Sequence, residues 1–140
     1  VEPHARPFLI PSRLEELRQL QPSEFDLRRL MELCGELNLC WEHECYIAVA
    51  ALTRVIIDHV PPVFDCTSFT EVVNNYPLTR SDKKSLKHLE ESLRPIADGH
   101  LHQTIRKSES LPNDTQVNFS RELDVLLGEV VRLLTEQSKQ

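Results

Sequence analysis

Residues 45–60 read CYIAVAALTRVIIDHV, and this stretch decides the fold. On a helix its apolar side chains, from Tyr46 and Ile47 through Ala51 and Leu52 to Ile57 and Val60, cover nearly the whole circumference rather than one stripe. A helix that is apolar all round is a buried central helix in a soluble protein. A membrane span needs about 20 mostly apolar residues; this stretch reads as too short for one, and Arg54, Asp58 and His59 interrupt it. Charges on a buried helix are paired, ligated or used, so those three residues carry the question of function.

Working outward, the preceding segment has Leu27, Leu30, Met31, Cys34, Leu37 and Trp41 at spacings of three and four, one face of an amphipathic helix. Its other face is charged, with Arg28, Arg29, Glu32 and Glu36. Only a short turn around Glu42-His43-Glu44 separates it from the central helix, so the two lie antiparallel. Ser12 and Glu15 have capping-box spacing at the start of a first helix to about Leu20. On the other side, Pro61-Pro62 ends the central helix. Ser68 and Glu71 then open a short helix to about Asn75, and Thr79 caps another carrying Leu86, Leu89 and Leu93 inside.

Pro95 either kinks that helix or opens a new one as its first residue. The segment 95–107 places Ile96, Leu101 and Ile105 inward and stacks Asp98, His102 and Arg106 as a polar ladder. Residues 108–117 are polar, contain a proline and read as a loop. A last helix from about Ser120 carries Leu123, Leu126, Leu127, Val130 and Leu134. The sum is an all-α bundle of about six helices around the buried helix 45–60.

At 140 residues the chain is one domain in size and buries on the order of 68% of its unfolded surface, enough for a core without disulfides or metals. Residues 1–11, VEPHARPFLIP, form a linker-like lead ahead of a single domain over 12–140, as in an excised or C-terminal part of a longer protein. The lead fits neither a signal nor a transit peptide. Cys34, Cys40, Cys45 and Cys66 include no C-x-x-C pair and read as reduced thiols of a cytoplasmic protein. The net charge of −6 and pI near 5.5 disfavour a general nucleic-acid coat protein.

Arg54 to His59 spells R-x-x-x-x-H inside the apolar helix. Here the chain resembles the HEPN superfamily, helical bundles that usually pair as dimers and, when active, cut RNA without a metal. The resemblance implies a homodimer, a larger bacterial defence or signalling protein with other domains as partners, and RNA as substrate of an active form. It carries the catalytic roles onto Arg54 and His59, brought together from two protomers, although Val55 stands where active members often have a polar residue. The chemistry is coherent: His59 would move the proton of the ribose 2′-hydroxyl and Arg54 would hold the phosphorane charge. Residues five apart lie roughly 140° apart on a helix, so the two do not converge within one straight helix. The plainer reading pairs Arg54 with Asp58 at i, i+4 and makes His59 a C-terminal cap whose protonated form the helix dipole favours.

His102 and Arg106 have the same two readings, a solvated ladder with Asp98 or a phosphate-binding extension of the Arg54 site. His100 and His102 point to different faces and have no third ligand at zinc spacing, so no metal is expected. Cys45 reads as a core thiol, and Arg80, Lys83, Lys84 and Lys87 as a solvated face. Glycine-rich phosphate loops are absent from the sequence, so no nucleotide cofactor is expected.

Overall fold

The computed structural model describes residues 4, 6–20 and 24–138, and among them there is helix and no strand. The helices are α1 (Pro11–Gln19), α2 (Arg28–Glu42), α3 (Tyr46–His59), α4 (Phe69–Asn75), α5 (Arg80–His88), α6 (Arg94–His102), α7 (Asp114–Val117) and α8 (Ser120–Ser138). A 3₁₀ turn, Pro61–Phe64, follows α3, and a π turn, Leu89–Leu93, joins α5 to α6 without a break. The arrangement is the all-α bundle that the apolar periodicity predicts. Its core is one cluster to which α2, α3, the π turn and α8 contribute most of the fully buried leucines, isoleucines and valines.

α3 packs against α2, α6 and α7. Val49, Ala50, Thr53, Ile56 and Ile57 are buried, and the Thr53 hydroxyl is satisfied by donating to the Val49 carbonyl at 2.8 Å. The α2–α3 turn is closed by the Cys45 N–H donating to the Cys40 carbonyl at 2.8 Å, with Glu44 in the left-handed region at φ 60°. At the other end Pro61 stops the helix by tightening it. Val60 stays near the α region (φ −90°, ψ −10°), and left-handed Asp65 closes the 3₁₀ turn. The circumference of α3 is only partly covered, for Ile47 and Val55 remain 45% and 39% exposed. By length and composition alone Tyr46–Phe64 would suffice to cross a membrane (mean hydropathy 1.5), contrary to the reading of 45–60 as too short. Half of it is buried inside the bundle.

Caps account for several starts. Ser68 accepts from the Glu71 N–H at 3.1 Å and Thr79 from the Asp82 N–H at 3.2 Å, each satisfying an orphan donor. At α1 the predicted Ser12–Glu15 capping box does not form. Ile10 is the cap residue and Pro11 opens the helix, its missing N–H being one that no helix start uses. Glu15 instead accepts from Arg18 and Gln19.

The lead is docked from Phe8 onward and is not linker-like there. Phe8 and Leu9 are buried in the core, the Leu9 N–H donates to Asn38 Oδ1 at 2.7 Å, and Asn38 Nδ2 donates to the Leu9 carbonyl at 3.3 Å. His4 stacks on Trp41 with ring centroids 3.9 Å apart, and its Nε2 lies 2.9 Å from the Tyr46 hydroxyl.

Two further expectations change. α6 ends at His102, so 103–107 is not helical, and Ile105 is 94% exposed instead of inward. Residues 114–117, read as loop, form α7: Asn113 accepts from the Gln116 N–H at 3.0 Å, and Gln116 Oε1 accepts from the Asn113 N–H at 2.9 Å. Pro95 stands in the first turn of α6, one residue inside the helix-opening place read from sequence, and the π turn runs into that helix without a break. Proline lacks an N–H and its ring clashes with the carbonyl four residues back; the wider π turn just before it, with the Arg94 N–H bonded to the Leu89 carbonyl, accommodates both effects.

Large-to-small changes in a packed core cost about 2 to 5 kcal/mol. Urea unfolding is therefore expected to show a loss of that size for Ile56→Ala, and a change of no more than about 0.5 kcal/mol for Val55→Ala on the open side of the same helix. Equal losses at the two positions would contradict this burial pattern.

Candidate functional site

α3 and α6 are joined by a seam of opposite charges. Arg54 Nε lies 2.6 Å from Asp98 Oδ1. One turn along, Arg94 grips Asp58 with both terminal nitrogens, Nη1 to Oδ2 at 3.1 Å and Nη2 to Oδ1 at 2.5 Å. Arg94 Nε also donates to both Glu90 oxygens at 3.1 Å, and Glu90 accepts from the Thr70 hydroxyl at 2.8 Å, tying in α4. Because 54 pairs with 98 and 58 with 94, the two helices run antiparallel. Asp58, followed by Glu90, holds the Arg94 guanidinium above its ordinary pKa.

The i, i+4 pairing of Arg54 with Asp58 expected from sequence is replaced by these two pairs, since each residue finds an opposite charge across the seam. Arg54 Nε and Asp98 Oδ1 are shut off from solvent yet not aligned as a hydrogen bond, so their contact is electrostatic. All four side chains are partly exposed, and pairs of this kind contribute no more than about 1 kcal/mol each. Their larger effect is to fix register.

The predicted ladder of Asp98, His102 and Arg106 does not form. Asp98 belongs to Arg54, His102 is exposed at the last residue of α6, and Arg106 lies beyond the helix. There its N–H and Nε donate to Glu109 at 2.9 and 3.4 Å.

His59, half-buried in the last turn of α3, has its pKa lowered, first by burial and then by the positive charge of Arg29 on α2. The helix dipole was expected to favour the imidazolium; burial and Arg29 outweigh it. Arg54 thus faces α6 while His59 sits near Arg29 of α2, and one chain does not bring them together. Arg80, Lys83, Lys84 and Lys87 are exposed along α5, the solvated face read from sequence. Cys45, read as a core thiol, is exposed at the N-terminal end of α3, whereas Cys34 is buried and its thiol is pushed up to about 12 by desolvation. Among the described residues no three His, Cys, Asp or Glu side chains cluster as a metal site.

Sequence reasoning missed an apolar face. Ile47 and Val55 are exposed on α3 with half-exposed Ala51 between them, and the antiparallel register brings Leu101 of α6, 45% exposed, level with Ala51 and one turn from Ile47. Ile105 and Leu111, 94% and 77% exposed, continue from the end of α6. A groove of 450 Å³ opens between the start of α3 and Leu111-Pro112. The i, i+4, i+8 spacing of Ile47, Ala51 and Val55 was the available signal, hidden because apolar residues cover nearly the whole circumference of α3.

Compared with known proteins, the chain matches no family model, no curated protein and no solved structure.

The lowered pKa of His59 has a thermodynamic counterpart. Above the unfolded value of 6.5 the imidazole is neutral in both states. As pH falls through 6.5 toward the folded value, the unfolded chain takes up the proton first and the native state loses stability. Between pH 7.5 and pH 5, chosen to bracket the unfolded pKa at roughly 6.5, chemical unfolding is expected to show a larger stability loss for wild type than for His59→Gln. Parallel profiles would contradict the lowered pKa.

Proposed function

We propose that this chain is an interaction module that pairs with a second copy of itself through the α3–α6 face, as part of a larger cytoplasmic protein of the bacterial defence or signalling kind. The exposed apolar row of Ile47, Val55 and Leu101, continued by Ile105 and Leu111, carries the reading. Single exposed apolar residues are ordinary, but several on one continuous face mark an interaction surface. Homodimers are the commonest closed assembly, and their interface is one patch used twice. The defence context and the other domains as partners rest on the HEPN resemblance of Arg54 to His59.

A second reading, a metal-independent endoribonuclease, is favoured by the lowered pKa of His59. A neutral imidazole can accept the 2′-hydroxyl proton as that oxygen attacks the adjacent phosphorus and the 5′-oxygen departs. Arg54, with His59 supplied by the second protomer, would neutralise the phosphorane. His102 and Arg106 would extend the phosphate contacts, with RNA as the partner.

Sedimentation at micromolar concentration is expected to give a dimer, and Ile47→Asp combined with Val55→Asp a monomer that keeps the helical circular dichroism of the wild type. A monomeric wild type would remove the module reading. For the enzyme reading, RNA cleavage is expected to persist in chelator and to leave 2′,3′-cyclic phosphate ends, and Arg54→Ala and His59→Ala, checked by melting to be folded, to abolish it. Structured and single-stranded RNAs left intact by the wild-type dimer would exclude that reading and leave the module.

A further inference from the structure

Residues 103–111 are exposed throughout, yet the segment is tied. The Glu109 carboxylate accepts from Gln103 Nε2 at 2.7 Å, from the Arg106 N–H at 2.9 Å and from Arg106 Nε at 3.4 Å. These bonds close a turn and hold Ile105 on the outside, 94% exposed, next to Arg106 and Lys107. Three hydrogen bonds thus maintain an arrangement that keeps a β-branched apolar side chain in water. That is the opposite of what isolated folding favours, and it is what a partner-facing anchor requires.

A receptor of matching chemistry lies at the same end of the molecule. The 450 Å³ groove has apolar walls from Tyr46, Ile47, Ala48, Leu111 and Pro112, with Cys45 beside them. Its surroundings are acidic: Glu44 lines it, and Glu42 and Asp114 are exposed close by in sequence. Desolvation, followed by the charges of Glu44 and Asp114, raises the Tyr46 phenol pKa, which places both carboxylates near the groove.

We infer that Ile105 of each copy seats in the Tyr46–Leu111 groove of the other, with Arg106 and Lys107 meeting the acidic rim, so that tip and groove are exchanged reciprocally across a two-fold axis. The inference rests on the pairing proposed above and names its anchor. A two-fold interface must be self-complementary. An apolar tip with Lys107 and Arg106 beside it, the latter held at Nε by Glu109, and an apolar groove rimmed by carboxylates satisfy that condition in polarity and in charge. An unrelated segment would fill the groove but would leave the ordered tip of its own chain without a role.

The exposed native Cys45 makes the contact measurable. Unlabelled and heavy-isotope Ile105→Cys protein are mixed, treated with a short bifunctional maleimide and mapped by mass spectrometry. Links between the introduced thiol and Cys45 of the other isotopic chain are expected. Ile105→Asp is expected to weaken the dimer by about tenfold or more, the size of an anchor residue's effect, with the helical circular dichroism of the chain unchanged because the site is solvent-exposed within one copy. Lys107→Glu is expected to weaken it as well, and Glu44→Lys in the same chain to restore affinity. If Ile105→Asp dimerises with wild-type affinity and links form only within one chain or not at all, the tip-in-groove contact is overturned while the α3–α6 pairing stands. If wild type is monomeric, both fall together.

Discussion

One face of α3 has no access to water, and the rest of the bundle is placed by that fact. Val49, Ala50, Ile56 and Ile57 are fully enclosed, and burial of a valine or isoleucine side chain contributes roughly 1.5 to 3 kcal/mol relative to exposure. α2 supplies one wall and α6 another. The two walls differ in kind: α2 leads directly into α3 through a tight turn and needs only a hydrophobic stripe, whereas α6 arrives more than thirty residues later and must find its register. The crossed pairs Arg54–Asp98 and Asp58–Arg94 provide it, since sliding α6 by a turn would set Arg94 beside Arg54 and Asp98 away from any cation.

The parts of the fold legible in the sequence are those decided by local chemistry. The caps at Ser68 and Thr79, the stripe of α8 and the α2–α3 hairpin each follow from residues within a few positions of one another. The Asn113–Gln116 capping box was equally local, but Pro112 and a polar composition masked it. The misread parts have partners far away in the chain. Asn38 clamps Leu9 across 29 positions, so the lead looked like a linker. Arg54 had a plausible local partner in Asp58 and took a distant one instead. Ile105 continued a helical period past His102, but periodicity cannot tell whether anything lies opposite to receive it.

The candidate site divides along the same line. Arg54 and His59 were identifiable as polar residues on an apolar helix, and the structure gives them separate neighbours, Asp98 for one and Arg29 for the other. The exposed apolar face was not identifiable, because apolar residues cover nearly the whole circumference of α3 and only packing shows which direction stays uncovered. The features proposed for recognition therefore lie at the margin of the core helix, in the strip that α2 and α6 leave open.

The π turn before Pro95 sets a phase. In an α-helix each residue advances the side-chain direction by about 100°, so one residue added or removed within 89–93 would rotate everything beyond it by roughly that angle. Arg94 and Asp98 would then swing off the seam, and Leu101 would leave the face it shares with Ile47. Length in this segment is thus under tighter constraint than composition. Many substitutions at the exposed Glu91 are geometrically neutral, whereas a single-codon insertion or deletion there would put α6 out of register with α3.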